Sequence, residues 1–591
     1  MVKKKKTNRK KMTKEQKAEN KKRRDFSKKI ENIFVFSGFK KIPVRGMTFQ
    51  LGGRSHELDH CFVYENILII CEDTIQELKK KEKGETYNNN HKLIKNETAE
   101  MISDNKKEVF ELLKKKFTDC KEIKKYSHTE FKVFYLYFEY GTKKFYKDTV
   151  DRFKNLKLID APTMNYFVSM SKCIKTSFKY ELFRFLKLSK TDVGIPNPTG
   201  EIKSIKTPII YPDSVTGFQR GIRIVSFMMK PGDLIENCCV LRKDGWDKNI
   251  DLYQRLVIPS KIKSIRKFVA EKQTAFLNNI IVTLPKEISF YQISSDKEKS
   301  IELEDITKYR SDIGIRIPAD FNSMIIIDGQ HRVFAYYEDN NKEDSLELKI
   351  RDLRDKLNLL VTGVIYPDNE YYNDDLNKRK FESDLFVSIN ENAKVVDADT
   401  IIHVQSILNP TSSEAISRKV IELLNEDGPF KSLFELSKVE PSLIKTASII
   451  KYALTNMVAA RNNENSLFYY WLKENHQNEI YELRSSKDIN DYVKYCATCL
   501  NEYFNAIKEK FRNDWNKNSK LLQVVSLNAF IIALRETLKL VGGPKNSKFY
   551  SEVIKDLDID FNDIKNFPYA GSQYKKFAND AIIPLFNKHK N

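Results

Sequence analysis

The segment 324–337 constrains the fold more than any other part of the chain. It begins with four consecutive apolar residues, which predict a buried strand, and Asp328-Gly329 then predicts a sharp break. From Val333 onward the apolar residues have helical spacing. A strand that turns through glycine into a helix leaves free backbone N–H groups at the helix start, and such groups bind anions. The segment therefore predicts an anion site inside an α/β or α+β layer.

The turn also carries an unusually dense set of polar side chains. Asp328, Gln330, His331 and Arg332 place a carboxylate, an amide, an imidazole and a guanidinium within five residues. The planar fork of arginine suits phosphate, and an aspartate can hold a metal ion or orient a water molecule. The alternative is a plain Asp-Gly turn whose His and Arg cap a helix or lie on the surface. We predict a functional site, with Asp328, His331 and Arg332 as catalytic residues and Gly329 and Gln330 as binding residues.

The stretch 328–332 resembles the motif that names the DGQHR-domain family, which contains the DndB-like regulators of DNA phosphorothioation and is related to the ParB/sulfiredoxin-like fold. Two further stretches carry the resemblance. One runs from Tyr253 to Pro285, and the other, 385–396, matches the family's Phe-x-x-Ile-Asn segment. The resemblance covers about residues 200 to 405 and implies an α+β central domain.

The resemblance also implies a nucleotide site. A nucleoside triphosphate of unknown identity would be bound by Arg332 together with Gln254, Arg255, Gly329, Gln330, Asn390 and Lys394. No Walker A sequence occurs in the chain, so the nucleotide would be held without a P-loop. No cysteine lies in 328–332, which argues against sulfiredoxin chemistry. The alternative for Gln254, Arg255 and Asn390 is an ordinary surface or buried hydrogen-bonding residue.

A second candidate site lies near the N-terminus. The residue pattern predicts two strands, 59–64 and 66–71, joined across a two-residue turn. Asp59 starts the first strand and Glu72 follows the second, so antiparallel pairing brings the two carboxylates together. Such a pair can share a divalent metal ion such as Mg²⁺. The stretch resembles the PD-(D/E)XK nuclease core, which implies that Asp59 and Glu72 are catalytic acids and metal ligands and that Glu57 is an additional helix carboxylate.

The sequence departs from that nuclease pattern at one position. The family has a lysine two residues after the second acid, where this chain has Thr74. A nearby lysine, Lys79, Lys80 or Lys81, would have to take over its role. The alternatives are a half-buried hairpin with charged ends and a nuclease-like fold that has lost catalysis.

Net charge points to a polyanionic partner. The chain has a formal charge of +21, and residues 1–30 contain 15 Lys and Arg against three acidic residues. A basic block of this kind is typical of disordered tails that bind nucleic acid through counterion release. The alternative is a solvated tail in a chain rich in Lys, Asn and Ile. We predict a disordered basic tail over 1–32 and DNA as a partner, without sequence-specific reading by the tail.

Several classes of protein are not expected. No apolar run approaches the roughly 20 residues of a membrane span, and no apolar stretch follows the basic N-terminus as in a signal peptide. The eight cysteines are scattered, which suits a reducing compartment. These features predict a cytoplasmic protein without a membrane partner.

The predicted fold class is α+β and multidomain. The predicted regions are a basic tail (1–32), a PD-(D/E)XK nuclease-like α/β domain (33–195), a DGQHR or ParB-like α+β domain (196–400) and an all-α helical domain (401–591). A breaker cluster, Gly194 to Gly200, marks the second boundary. No chemical signature occurs in the helical region, which is expected to contact DNA or partner subunits.

The resemblances together predict a DNA-binding protein of a DNA-modification, restriction or phage-defence system. In the preferred interpretation, a DNA-stimulated nucleoside triphosphatase couples nucleotide use to DNA binding or processing. One alternative is a non-enzymatic, DndB-like transcriptional regulator, and the other is a metal-dependent DNA nuclease acting through the N-terminal domain. Association with modification or restriction subunits and a homo-oligomeric state are left open.

Overall fold

The protein has a mixed α+β fold with several sheets, as predicted. The computed structural model describes residues 13–589, except for positions 52, 76–80, 143–144, 146, 196–201, 206–207, 219–220, 243–244, 248–253, 255, 294–298, 307–311, 392–402, 404–405, 436–443, 476–482, 484, 517 and 564–566.

The chain forms two compact units. The first comprises Met1–Leu241 and Leu256–Asn369, and the second comprises Arg242–Arg255 and Glu370–Asn591. The predicted boundary near residue 195 lies inside the first unit, and the second unit begins upstream of the boundary predicted at residue 400.

The N-terminal half of the first unit contains a five-stranded mixed sheet in the order β1-β4-β5-β6-β7, and a separate two-stranded sheet. Its strands are β1 (Lys40–Ile42), β2 (Thr48–Leu51), β3 (Arg54–Glu57), β4 (His60–Tyr64), β5 (Ile67–Thr74), β6 (Lys132–Glu139) and β7 (Lys157–Ile159). β4 and β5 form the predicted antiparallel hairpin, and β6 pairs with β5 in parallel. Alternate residues of β5 therefore face opposite sides of the sheet, because strand side chains have a period of two.

Helices cover both faces of this sheet. They are α1 (Lys14–Phe36), α2 (Lys81–Asp104), α3 (Lys106–Lys116), α4 (Lys121–Lys125), α5 (Lys147–Arg152), α6 (Ala161–Ile174) and α7 (Lys179–Leu186). On one face Phe34 of α1 stacks on Phe62 of β4, with ring centroids 4.7 Å apart. On the other face Ala99 and Ile102 of α2 join a buried cluster with Ile70 of β5.

The basic N-terminal region is helical over much of the segment predicted to be disordered. α1 begins at Lys14, and Thr13 and Gln16 cap it reciprocally, each side chain bonding to the other's backbone N–H. Phe26, Ile30 and Ile33 of α1 are buried, so burial of an apolar face stabilises the C-terminal part of the helix. The prediction of a disordered tail through residue 32 is therefore wrong for the described part of α1, where a cap and an apolar stripe outweigh the high charge.

The remainder of the first unit is built on two sheets, in the orders β11-β16-β12-β17-β10-β9 and β14-β13-β15-β8. The strands are β8 (Ile202–Ile205), β9 (Ile209–Tyr211), β10 (Arg223–Met229), β11 (Cys238–Cys239), β12 (Ile280–Thr283), β13 (Ser289–Gln292), β14 (Lys299–Ile301), β15 (Ile313–Pro318), β16 (Met324–Asp328) and β17 (Leu359–Ile365). The helices are α8 (Asp213–Thr216), α9 (Pro231–Asn237), α10 (Pro259–Lys272), α11 (Gln330–Phe334) and α12 (Ser345–Lys356). The predicted strand, glycine turn and helix are thus β16, Gly329 and α11.

The two halves of the first unit are joined by hydrogen bonds and by apolar contact. The backbone N–H and hydroxyl of Thr176 both donate to the carbonyl of Glu338, at 3.2 and 2.6 Å. The N–H of Glu338 in turn donates to the hydroxyl of Ser177, at 3.1 Å. The ring of Phe321 packs against Tyr180 of α7, with centroids 5.4 Å apart. The segment that follows α11 is therefore fixed to the N-terminal half of the unit.

The second unit is mainly helical around an aromatic-rich core. Its helices are α13 (Glu370–Asn373), α14 (Asp375–Glu391), α15 (Ser413–Glu426), α16 (Ala447–Ile449), α17 (Thr455–Val458), α18 (Leu467–Asn475), α19 (Ser486–Lys510), α20 (Val524–Val541), α21 (Ser547–Ile554), α22 (Tyr574–Phe577) and α23 (Ile583–Phe586). Two short strands, β18 (Phe434–Glu435) and β19 (Ile444–Lys445), pair in parallel. Among the helices of the described residues, none has the length and apolar character needed to cross a membrane.

Candidate functional site

Two carboxylates meet at one edge of the N-terminal sheet, as the sequence predicts. Asp59 directly precedes β4, and its carboxylate accepts a hydrogen bond from the backbone N–H of Asp73, at 3.0 Å. Glu72 lies near the end of β5, with its carboxyl group within hydrogen-bonding reach of Asp59. Glu72 is buried, whereas Asp59 is partly exposed. The site is therefore a buried carboxyl group behind a second one that solvent reaches.

A lysine from α2 completes this cluster. The ammonium group of Lys95 lies 2.7 Å from Oε2 of Glu72 and donates to the backbone carbonyl of Glu57 at 3.2 Å. Thr74, at the position where the nuclease pattern has lysine, is buried. Lys79 and Lys80, and the side chain of Lys81, lie outside the described residues. A helix thus supplies the cation that the strand lacks, and Lys95 is not among the predicted site residues.

Helical spacing explains how Lys95 reaches the site. His91, Lys95, Ala99 and Ile102 are three or four residues apart, so they share the face of α2 that packs on the sheet. The imidazole Nδ1 of His91 lies 2.8 Å from the hydroxyl of Tyr137 on β6. Two polar residues at helical spacing from Ala99 and Ile102 are a signal that was present in the sequence.

The environment of Glu72 strongly favours its protonated form. Burial raises the pKa of its carboxyl group to about 8, and the neighbouring Asp59 adds to the rise, while Lys95 opposes it. Tyr135 of β6 donates a hydrogen bond to Oε1 of Glu72, at 2.8 Å. Because burial also holds the pKa of the Tyr135 phenol well above its usual value, this residue acts as a fixed donor. A divalent cation between Asp59 and Glu72 would relieve the cost of ionising both.

We expect Glu72→Gln to raise the melting temperature, and to raise it more at pH 8 than at pH 4.5. The native carboxyl group keeps its proton up to a pH of about 8, whereas the unfolded chain releases it near pH 4.5. Between these values the native state binds more protons, so wild-type stability falls as the pH rises. Differential scanning calorimetry across this range measures the effect. Glu111→Gln, at an exposed glutamate of α3, is the control, and equal pH profiles for wild type and Glu72→Gln would contradict the assignment.

Glu57 does not occupy the position predicted for it. It ends strand β3 in the two-stranded sheet, where its side chain is exposed, rather than lying on a helix. Its contact with the site is through its backbone carbonyl, which accepts from Lys95. The prediction of a helix carboxylate was wrong because the segment 54–57 pairs with 48–51 as a separate hairpin, which lies between β1 and β4 in the chain.

A different polar network lies around Asp73, on the opposite side of β5 from Glu72. Nε2 of His60 lies 2.9 Å from the carboxylate of Asp73 and 3.2 Å from the hydroxyl of Ser27 on α1. Arg45 donates to the same hydroxyl at 2.7 Å. Both contacts of His60 use one ring nitrogen, so the imidazole cannot bridge acid and nucleophile as in a catalytic triad. This buried network attaches α1 to the sheet.

The Asp-Gly-Gln-His-Arg turn has the predicted backbone. Gly329 adopts a φ of 101°, and a Cβ atom there would lie 2.6 Å from Cδ1 of Ile280. A register shift between β12 and β16 places a bulge just before Asp328. Glycine is therefore required both by the left-handed conformation and by the close approach of β12. α11, which follows, has only five residues.

The charged side chains of the turn bind to the protein itself. The guanidinium of Arg332 donates to the carboxylate of Asp328 at 2.6 Å and to the carbonyl of Asn279 at 2.7 Å. Nε2 of His331 accepts from the backbone N–H of Ile258 at 2.9 Å, so this nitrogen carries no proton. An incoming phosphate would have to compete with Asp328 for Arg332. The geometry thus favours a structural role for this pair, which holds the turn against β12.

Of the other residues predicted for the nucleotide site, the structure describes the side chains of Gln254 and Gln330. Gln254 is buried in the second unit, where it forms an isolated β-bridge with Arg242. Gln330 is buried at the start of α11. Arg255 and Lys394 lie outside the described residues, as does the side chain of Asn390 in the last turn of α14. The nucleotide-binding roles of these residues stay predictions.

No family model, curated protein or solved structure matches this chain. The resemblances to DGQHR-domain proteins and to PD-(D/E)XK nucleases therefore stay predictions. Within the described ranges, no group of three or more His, Cys, Asp or Glu side chains is arranged to hold a metal ion. A metal at the sheet edge would have two carboxylate ligands there, an arrangement that Mg²⁺ commonly accepts because it retains several waters.

Proposed function

We propose that the protein is a metal-dependent nuclease that hydrolyses phosphodiester bonds at the edge of the N-terminal sheet. The observation that supports this most is the cluster of Asp59, Glu72 and Lys95. It combines two carboxylates able to share a divalent cation with a lysine ammonium group beside them. The same types of residue act together at the site of the nuclease fold that the sequence resembles. Here the lysine comes from α2 instead of β5.

Each residue has a distinct role in the proposed reaction. Asp59 and Glu72 would hold Mg²⁺, which when bound polarises the phosphate and supplies a nucleophilic water. Lys95 would stabilise the negative charge that develops on the phosphate. Tyr135 keeps Glu72 in position through its hydrogen bond. Hydrolysis adds one water across a P–O bond and leaves a phosphate monoester and a hydroxyl group.

Nucleic acid is the substrate class that the charge of the chain supports best. More than half of the excess positive charge lies in residues 1–30, which precede the sheet in the chain. A nucleic acid would bind to these charges, and each of its phosphodiester bonds is a substrate for the carboxylate and lysine cluster. A role in DNA modification, restriction or phage defence is part of the same proposal. The internal pairing of Arg332 with Asp328 gives no added support to nucleotide turnover at the Asp-Gly-Gln-His-Arg turn.

We expect the wild type to cleave DNA or RNA with Mg²⁺ or Mn²⁺, and Asp59→Asn to lose this activity. Asparagine can still accept the N–H of Asp73 but binds a divalent cation poorly, so the fold should persist. Single-stranded and duplex substrates are incubated with each metal or with EDTA, and products are separated on denaturing gels. Asp104→Asn, at an exposed aspartate of α2, is the matched control.

Metal-dependent cleavage that Asp104→Asn retains and Asp59→Asn loses, with equal melting temperatures, supports the proposal. Absence of cleavage by the wild type on all these substrates overturns it. Cleavage that survives in Asp59→Asn also overturns it, because the activity would then come from another site or from a contaminant.

A further inference from the structure

The N-terminal half of α1 lies almost entirely at the surface of the described structure. Residues 13–21 are exposed all around the helix, and the first buried side chain is Phe26. Between residues 14 and 25 the only apolar residue is Ala18. Burial in a protein core does not stabilise a helix that is polar on every side. The exposed part of α1 is therefore expected to contact a partner other than the sheet on which the rest of α1 packs.

Contacts along α1 fix the direction of this exposed segment. Phe34 stacks on Phe62 in the middle of β4, and Ser27 contacts His60 at the start of that strand. Lys22 lies over the ring of Tyr140, which follows β6 and whose N–H bonds to the carbonyl of Thr74. Toward its N-terminus α1 therefore approaches the sheet edge that holds Asp59 and Glu72. Residues 14–21 extend beyond that edge by roughly 12 Å.

The exposed surface of this arm carries one continuous basic stripe. Its members are separated alternately by three and four residues and are all exposed: Lys14, Lys17, Lys21, Arg24 and Lys28. This spacing places them on one face, opposite the buried face formed by Phe26, Ile30 and Ile33. The stripe is roughly 21 Å long at 1.5 Å per residue. Lys28 also pairs with Glu31 on α1, at 3.2 Å.

We propose that this basic arm, α1 residues 14–28, binds the sugar-phosphate backbone of a nucleic acid. The assignment deepens the proposed function by naming a surface that holds the substrate, and it rests on that function for the identity of the nucleic acid as the substrate. Exposed cations at regular spacing can bind a polymer with regularly spaced negative charges, because each contact releases a condensed counterion. A membrane surface fits less well, since membrane-binding helices insert an apolar face and residues 14–25 have none.

The test compares two triple variants with the same change in charge. Lys14→Gln, Lys17→Gln and Lys21→Gln together remove the end of the stripe. Lys107→Gln, Lys115→Gln and Lys121→Gln together form the control, at exposed lysines of α3 and α4. Binding of a labelled DNA duplex is followed by fluorescence anisotropy in EDTA over a range of salt concentrations. We expect roughly ten- to hundred-fold weaker binding for the arm variant, and a salt slope smaller by about 2 to 3.

The outcomes separate the arm from the nuclease proposal. A selective loss of affinity and salt slope in the arm variant supports the arm, even when the wild type shows no cleavage, because binding is measured without metal. Equal losses in both variants, or none in either, overturn it while leaving the nuclease proposal to its own test. Binding of the wild type to phosphatidylserine vesicles but not to the duplex also overturns it.

Discussion

Lys95→Ala is expected to lower the rate of metal-dependent cleavage by roughly 10²- to 10³-fold, the usual effect of removing one preorganised donor from a developing anion. Two losses act together. The phosphate loses a positive charge, and Glu72 loses the cation that opposes its protonation, so that it binds a metal less readily at neutral pH. Single-turnover rates at saturating metal and substrate measure the first effect, and the metal concentration at half-maximal rate measures the second.

Lys95→Arg and Lys121→Ala complete this experiment. Arginine keeps the charge but has a different shape, so partial activity is expected. Lys121, at the exposed start of α4, should be replaceable without loss of rate. A Lys95→Ala protein that cleaves at the wild-type rate would remove the lysine from the mechanism and leave only the two acids.

Arg266→Ala is expected to destabilise the segment 324–337 by about 1.5–3 kcal/mol, the typical cost of losing a hydrogen bond to a charged group, because Glu347 keeps Arg354 as a partner at 3.0 Å. Arg266 of α10 lies 2.5 Å from the carboxylate of Glu347, and the two side chains are 2% and 0% exposed. It also donates to the carbonyls of Ala335 and Tyr337, just after α11. Its loss therefore leaves a buried carboxylate and two carbonyls with fewer donors.

Hydrogen exchange of peptides from this segment is the appropriate measurement, because it reports local opening free energies in a chain with two units. Arg351→Ala is the control. Arg351 lies on the exposed side of α12 and donates to the carbonyl of Lys342, so its removal should change the opening free energy by less than about 1 kcal/mol. Equal exchange in Arg266→Ala and wild type would contradict the assigned importance of the pair.

Much of the backbone could be predicted because the signals are local. The hairpin of β4 and β5 and the strand β16 are short apolar runs bounded by turn residues, and their limits agree with the structure to within a few residues. The meeting of Asp59 and Glu72 follows directly from antiparallel pairing. Local pattern therefore predicted the carboxylates of the candidate site, although not the whole site.

The rest of the site depends on packing between distant segments. Lys95 is 23 positions from Glu72, and only the way in which α2 lies on the sheet brings them together. The density of polar groups at Asp328 and Arg332 suggested a ligand site, which stays a prediction, and in the structure the two side chains pair with each other. A sequence does not reveal that two such groups are each other's partners, four residues apart across a glycine turn.

The hydrogen bonds between Thr176, Ser177 and Glu338 have a consequence for how the chain can be divided. A fragment that ends at residue 195 would lose the carbonyl to which Thr176 donates and the aromatic partner of Tyr180. Newly exposed polar and apolar groups of this kind promote aggregation. The sheet that carries Asp59 and Glu72 is thus expected to unfold together with the Asp-Gly-Gln-His-Arg turn, as one cooperative block, and to need that turn for soluble expression.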